Sequence, residues 1–300
     1  MKASYLYYSI LALSLLCAST LLHAQELALE RVGPFSAELD ESSGLTWAGG
    51  SLYSLSDDKL PYLYRVDTST AETTQLIVVR GISFSDKEAL TSDEDYLYIG
   101  DFGNNKGHRR DLKIVRLKLS EIPANGPIEV EAEIIAFHYP EQKVFDGKKK
   151  ENAFDCEAMV AMGDSLYLFT KQRNDHQTTL YALPKAPGEY PAKRHGSFDV
   201  QGRITSASLS PTGKHLLLLG YGKKHQQPFI WHFSGFVGSD FFGSGNASLA
   251  KAKRYALWES PLDWQLEAIT FVSPNRIFLS CEKTDEVEAG LYVRSFPLEP

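Results

Sequence analysis

Three glutamates occupy equivalent places in similar short segments of this 300-residue chain. Glu88, Glu157 and Glu267 are each followed by an alanine and a short apolar run. Carboxylates can act as general bases, and crowded carboxylates need a hard cation, a raised pKa or nearby basic side chains to offset their charge. We predict these three glutamates as candidate catalytic residues. The alternative is a structural role, in which they accept hydrogen bonds from backbone N–H groups of a neighbouring repeat.

Other oxygen-bearing side chains point to calcium, which takes six to eight oxygen ligands. The strongest local motif is Gly100-Asp101-Phe102-Gly103-Asn104-Asn105. Its glycines suit a tight turn, and its Asp and Asn oxygens either bond their own backbone or face a cation. The motif lacks the spacing of an EF-hand. Calcium is the one cofactor that we expect, with Glu41, Asp57, Asp101, Asn104 and Asp155 as candidate ligands.

The segments that carry these residues belong to an internal repeat. Five copies begin with a similar strand, at residues 42–46, 87–91, 156–160, 205–209 and 266–270. A turn and a second apolar strand follow, at residues 51–55, 96–99, 165–169, 215–219 and 276–279. Third strands are predicted at residues 62–66, 113–117, 179–183, 229–233 and 291–296, and fourth strands at 75–79, 133–139, 193–198 and 253–258. The fifth copy therefore lacks its fourth strand.

An alternating strand at residues 26–32 precedes the first repeat and can complete the fifth. Four-stranded units repeated around an axis, with the N-terminal strand closing the last one, define a β-propeller. The sequence therefore predicts an all-β, five-bladed β-propeller of antiparallel blades. We interpret residues 118–153 as an outer strand plus a long insertion.

Propeller geometry would gather the acidic residues at one mouth of the central channel. The start of each first strand and the end of each second strand lie at the same face, near the axis. Basic and aromatic residues follow second strands or the turn motif at that face, and we predict Lys59, Arg109, Lys171, Arg173 and Tyr221 as ligand-binding residues. They favour an anionic small molecule or a glycan as ligand. The simpler interpretation is that these basic residues belong to loops exposed to solvent.

Composition and charge limit the class of protein. Hydrophobic residues make up 43% of the chain, enough for a large core. The formal net charge of −7 argues against a nucleic-acid partner held by a general positive field. The chain also lacks a Gly-x-Ser-x-Gly elbow, a His-Glu-x-x-His motif, a Walker loop and a dinucleotide fingerprint, so the common enzyme classes that carry them are poor fits.

The first residues have the pattern of a signal peptide. Lys2 supplies positive charge, residues 10–22 are apolar, and Ala24 is a small residue at which a signal peptidase would cut. No later stretch is long or apolar enough to span a membrane. We therefore expect a signal peptide at residues 1–24 and a single propeller domain at 25–300, secreted or periplasmic. Cys156 and Cys281 would remain, as one disulfide or as two free thiols.

The chain resembles exported bacterial β-propeller proteins that are similar, more loosely, to the esterase-like phytase and SdiA-regulated propeller groups. The resemblance spans most of residues 38–296 and is carried by the runs Glu41-Ser-Ser-Gly-Leu, Gly100-Asp-Phe-Gly-Asn-Asn, Phe154-Asp-Cys-Glu-Ala, Leu168-Phe-Thr-Lys, Ile204-Thr-Ser-Ala-Ser-Leu-Ser-Pro-Thr-Gly and Glu267-Ala-Ile. The family often carries Asp where this chain has Asn104, and Asp or Gly-Ala-Asp where it has Ser206-Ala207-Ser208, so this chain lacks possible cation ligands at both places.

Two functions follow as expectations. The resemblance implies calcium-assisted hydrolysis of a phosphoester or ester at the channel mouth. The alternative is a non-catalytic binding or scaffold propeller that recognises a glycan or a protein at the cell surface or in the periplasm, since propellers host many functions.

Overall fold

A computed structural model of the chain describes residues 27–126, 128–148, 151–222, 227–243, 250–257 and 264–298. Within these ranges the chain forms twenty-two β-strands and two single turns of 3-10 helix, Ala37–Leu39 and Leu119–Glu121. The strands build five sheets arranged as the blades of a β-propeller. The predicted all-β, five-bladed fold is confirmed.

The blades are numbered in chain order and their strands are given from the axis outwards. Blade 1 contains β2 (Ser42–Ala48), β3 (Ser51–Ser56), β4 (Tyr62–Val66) and β5 (Thr73–Arg80). Blade 2 contains β6 (Lys87–Ser92), β7 (Tyr96–Asp101), β8 (Lys113–Lys118) and β10 (Glu133–His138). Blade 3 contains β11 (Cys156–Met162), β12 (Ser165–Thr170), β13 (Gln177–Pro184) and β15 (Lys193–Asp199). Blade 4 contains β16 (Arg203–Leu209), β17 (His215–Tyr221), β18 (Phe229–Ser234) and β19 (Lys251–Ala256), and blade 5 contains β20 (Leu266–Ser273), β21 (Arg276–Cys281), β22 (Gly290–Ser295) and β1 (Glu30–Pro34).

The innermost strands form a closed ring. Each contacts the innermost strand of the next blade, and β20 of blade 5 contacts β2 of blade 1. Five hydrophobic clusters fill the five interfaces between neighbouring blades. Strand β17 is apolar along its length because both of its faces are buried. Leu216 and Leu218 pack towards blade 3, and Leu217 and Leu219 pack towards blade 5.

The N-terminal strand closes blade 5, as predicted, but it begins later than expected. Strand β1 pairs antiparallel with β22 from Glu30 to Pro34, whereas the predicted strand started at residue 26, which lies outside the described residues. The reason lies at Leu27, which forms a parallel bridge to Leu257 beyond the outer strand of blade 4. The buried Leu27 side chain packs between blades 4 and 5. The N-terminal segment therefore links these two blades before it forms the outer strand of blade 5.

Two short strands extend the outer edges of blades 1 and 2. Strand β9 (Ile128–Glu131) pairs parallel with β5, and β14 (Gly188–Pro191) pairs parallel with β10. Each lies in the connection to the outer strand of the next blade and covers an otherwise open sheet edge. The segment at 118–153 thus contains the predicted outer strand, β10, and also β9, which the sequence analysis did not predict.

Both cysteines of the described chain are buried free thiols. Cys156 lies in the cluster between blades 2 and 3, and Cys281 lies in the cluster between blades 4 and 5. Burial raises the pKa of each thiol above its ordinary value. Of the two alternatives left open by the sequence, the structure has the free thiols.

The predicted signal peptide lies outside the described residues. Among the residues that are described, no helix is long and apolar enough to cross a membrane.

Candidate functional site

A β-bulge recurs near the start of the innermost strand in all five blades. In each blade the register between the first and second strand shifts once at this place. A bulge adds one residue to a strand and turns its side chain out of the regular alternation. The added residues are Ser43, Glu88, Glu157, Thr205 and Glu267. The three predicted catalytic glutamates therefore occupy one structural position at one mouth of the channel, and we call them the bulge glutamates.

The neutral bulge residues have a structural role. The Ser43 hydroxyl donates a hydrogen bond of 2.9 Å to the backbone carbonyl of Lys87 in blade 2. The Thr205 hydroxyl donates one of 2.9 Å to the carbonyl of Leu266 in blade 5. Each thus links its blade to the next. Among the described residues, the hydrogen bond at a bulge glutamate comes from the ammonium group of Lys171 to Glu157 and not from a backbone N–H group.

Lys171 lies directly after β12, and its ammonium group faces the bulge glutamates. Its Nζ is 2.5 Å from Oε2 of Glu157 and 5.2 Å from the ring centre of Tyr221. Two residues later, Nη2 of Arg173 is 3.3 Å from Oδ2 of Asp155 and 3.9 Å from Oε1 of Glu157. A chain of contacts therefore links five of the predicted site residues, namely Asp155, Glu157, Lys171, Arg173 and Tyr221.

Burial raises the pKa of all three bulge glutamates above the ordinary value of a glutamate. Burial raises the pKa of Glu267 to about 8. It raises the pKa of Glu157 to about 8 as well, against the opposing effect of Lys171. Burial and the neighbouring charge of Glu157 raise the pKa of Glu88 well above its usual value. Carboxyl groups perturbed in this way are concentrated at functional sites.

A second acidic group lies where blade 5 meets blade 1. Burial raises the pKa of Asp57 to about 7, helped by Glu41, whose carboxyl group is within hydrogen-bonding reach. Burial and the charge of Asp57 raise the pKa of Glu282 to about 7. The side chain of Gln265 donates a hydrogen bond of 2.8 Å to Glu282. Acidic residues from four blades thus gather at the predicted mouth.

In the turn motif of blade 2, the Asp101 carboxylate is bonded to protein groups. The fully buried Asp101 accepts hydrogen bonds from the backbone N–H groups of Ser85 and Asp86. Its carboxylate also pairs with Arg109 at 3.1 Å and with Lys113 at 2.6 Å. Four protein groups therefore surround this predicted calcium ligand. Lys113 was not predicted, because a lysine within a strand gives no sign that it turns inwards.

Asn104, the second predicted calcium ligand of the motif, is also hydrogen-bonded to protein groups. Its backbone N–H donates to Asp155 at 2.9 Å, its side-chain amide donates to the carbonyl of Phe154 at 3.2 Å, and its side-chain oxygen accepts from the N–H of Arg109 at 3.0 Å. The preceding Gly103 is needed for a different reason. A Cβ atom there would overlap with carboxylate oxygens of Asp86 and Glu88, so the glycine lets both side chains lie against the backbone.

The fit to calcium can be judged from this donor set. Oxygen ligands are abundant, but Asp101 and Asn104 are occupied by protein partners. Within the described residues, no group of three or more His, Cys, Asp or Glu side chains is arranged to hold a metal ion. Asp101 and Asn104 as they are bonded here do not fit a calcium site, and calcium at the other candidate ligands stays a prediction of the sequence.

Lys59 and Arg109 lie beside the mouth. They line a groove of about 690 Å³ together with Asp86, Lys106 and Arg110. The planar guanidinium of Arg110 also lies 3.6 Å from the ring centre of Phe145 in the insertion before blade 3. The predicted ligand-binding residues therefore fall into two groups, one inside the carboxylate cluster and one along this basic groove.

The fold and this site define a five-bladed propeller with an acidic channel mouth. No protein-family model and no curated protein matches the chain. Among solved structures it is similar to the glutaminyl cyclase of Myxococcus xanthus, at 10% identity over 92% of this chain and 100% of that one, with a TM-score of 0.51. It also matches the periplasmic gluconolactonase of Pseudomonas aeruginosa, at 13% identity over 85% of each chain and a TM-score of 0.39.

A third match is the hydrazine synthase of Kuenenia stuttgartiensis, at 12% identity over 82% of this chain, with a TM-score of 0.42. This chain spans 57% of the length of that one. At such identities the similarity shows the propeller fold alone, and function has to be argued from the site.

Proposed function

We propose that the protein hydrolyses an ester or phosphoester bond at the acidic mouth of its channel. The observation that carries the proposal is that Glu88 lies near enough to Glu157 for the charge of Glu157 to raise the pKa of Glu88. Within the described chain no hydrogen bond reaches the Glu88 carboxyl group, whereas Glu157 is held by Lys171 at 2.5 Å. Two neighbouring carboxyl groups in different environments are the arrangement that divides acid and base roles in hydrolases.

The two roles follow from the charges around each group. Lys171 favours the ionised form of Glu157, so Glu157 accepts a proton from the attacking water. Burial and the charge of Glu157 keep Glu88 protonated, so Glu88 donates its proton to the leaving oxygen. The water oxygen forms a bond to the carbonyl carbon or phosphorus as the bond to the leaving oxygen breaks. Lys171 and Arg173 stabilise the negative charge that develops on the substrate.

The proposal is tested with the purified mature protein and its Glu88→Gln variant. Substrates are p-nitrophenyl acetate, p-nitrophenyl phosphate and a lactone, each with calcium and with a chelator. The wild type should hydrolyse at least one of them, and Glu88→Gln should lower kcat by about 100-fold or more. The matched control is Glu94→Gln, an exposed glutamate in the turn at the opposite face. Hydrolysis of none of the substrates, or equal rates for the two variants, would rule the proposal out.

The basic groove supports the second candidate, a binding propeller without catalysis. Lys59, Lys106 and Arg110 are exposed there, and such a groove suits an anionic small molecule or an acidic glycan. Binding of an acidic oligosaccharide should then weaken in Lys59→Ala and persist in Glu88→Gln. An oligosaccharide that binds wild type and Lys59→Ala equally would count against this candidate.

A further inference from the structure

The ammonium group of Lys171 occupies the place where a cation would balance the bulge glutamates. Its side chain is 6% exposed, and the carboxylate of its partner Glu157 is 5% exposed. Burial by itself would lower the pKa of Lys171, but the charges of Glu157 and Glu267 around it raise that pKa well above its ordinary value. The carboxyl groups around Lys171 thus favour its charged form.

Contacts at both the backbone and the side chain of Lys171 hold its ammonium group in place. The backbone N–H of Lys171 donates a hydrogen bond of 2.6 Å to the carbonyl of Asp155. At the other end Nζ lies against Glu157 and over the face of Tyr221, which attracts a cation. Three separate contacts thus hold the charge among the carboxylates.

A calcium ion among the bulge glutamates would compete with Lys171 for the carboxylate of Glu157. A calcium ion needs carboxylate oxygens at about 2.3–2.6 Å, and Oε2 of Glu157 already has Nζ at 2.5 Å. Two cations side by side in a buried site repel each other strongly. We propose that Lys171 is the built-in cation of this mouth, so that the propeller holds its carboxylates together without a divalent metal ion. The proposal stands whether or not the protein hydrolyses esters.

The test measures calcium binding before and after the ammonium is removed. In wild-type protein the thermal midpoint should be the same in millimolar calcium and in chelator. Lys171→Met removes the charge and retains most of the side-chain volume. This variant should have a lower midpoint in chelator, and calcium at about 100 times its dissociation constant should raise that midpoint by roughly 5 °C. Terbium should give tyrosine-sensitised luminescence in Lys171→Met and none in wild type.

Lys185→Met is the matched control, because it removes a lysine that pairs with Asp93 at 2.7 Å on the opposite face. It should lose stability without gaining any response to calcium or terbium. The proposal fails if calcium stabilises the wild type as much as Lys171→Met, or if Lys171→Met binds neither ion. If Lys171→Met folds only when calcium is present, that supports the proposal. If it folds under neither condition, the wild-type calcium and terbium measurements decide, and binding of either ion overturns the proposal.

Discussion

Replacing Glu267 by glutamine should change how the stability of the protein depends on pH. Glu267 is 8% exposed, and no hydrogen bond among the described residues satisfies its carboxyl group. Burial raises its pKa to about 8 from an ordinary value of 4.5. The fold therefore favours the protonated form. The stabilising effect of that form is complete below pH 4.5 and is lost as the pH rises towards 8.

The size of the effect follows from the two pKa values. Each unit between the folded and unfolded pKa is worth about 1.4 kcal/mol. Ionising Glu267 therefore costs the folded protein up to about 5 kcal/mol by pH 8. Neighbouring carboxyl groups titrate together with Glu267, so this figure is an upper limit for one residue. Glutamine cannot ionise and removes the cost.

Urea unfolding at pH 5, 6, 7 and 8 measures the difference. The free energy of unfolding of Glu267→Gln, relative to wild type, should rise with each step in pH. Glu94→Gln, at an exposed turn on the opposite face, should run parallel to wild type. A constant difference between Glu267→Gln and wild type across this range would refute the assigned ionisation cost.

Three further predictions test other parts of the structure. Removing residues 25–34 should cost at least about 4 kcal/mol of unfolding free energy, because it deletes the closing strand and its buried side chains; an unchanged urea midpoint would show that the strand does not close blade 5. Gly103→Ala should lower hydrolysis by roughly tenfold or more while leaving the circular dichroism spectrum intact, because its Cβ displaces Asp86 and Glu88. Burial lowers the pKa of His232 to about 4, so stability should be complete above pH 6.5 and fall by up to about 3 kcal/mol as the pH drops towards 4; the drop should be smaller in His232→Phe, and equal slopes would contradict it.

The blades could be predicted from sequence because each strand carries its own signal. Apolar runs such as Leu216–Leu219 recur at a similar place in every repeat, and turn residues separate them. The connections between blades carry no such signal. Leu27 fits an alternating strand equally well whether it pairs with blade 4 or blade 5, and β9 and β14 are too short for their composition to mark them.

The site was predicted in part for a similar reason. The recurrence of Glu88, Glu157 and Glu267 is visible in the chain, and the propeller geometry then brings them together. The partners of Asp101 are not visible, because Lys113 approaches it only through the pairing of two strands. The sequence therefore suggested a free calcium ligand where the folded chain has an enclosed ion pair.

The five blades allow the bulge glutamates to be compared with neutral residues at the same structural position. Blades 1 and 4 place Ser43 and Thr205 at the same bulge, and these hydroxyls link neighbouring blades without any buried charge. The fold therefore does not require a carboxylate at this position. Glu88, Glu157 and Glu267 instead carry ionisation costs that serine or threonine would avoid. Carboxyl groups that lower stability at a position where serine or threonine meets the structural need are the feature that supports the hydrolysis proposed for this mouth.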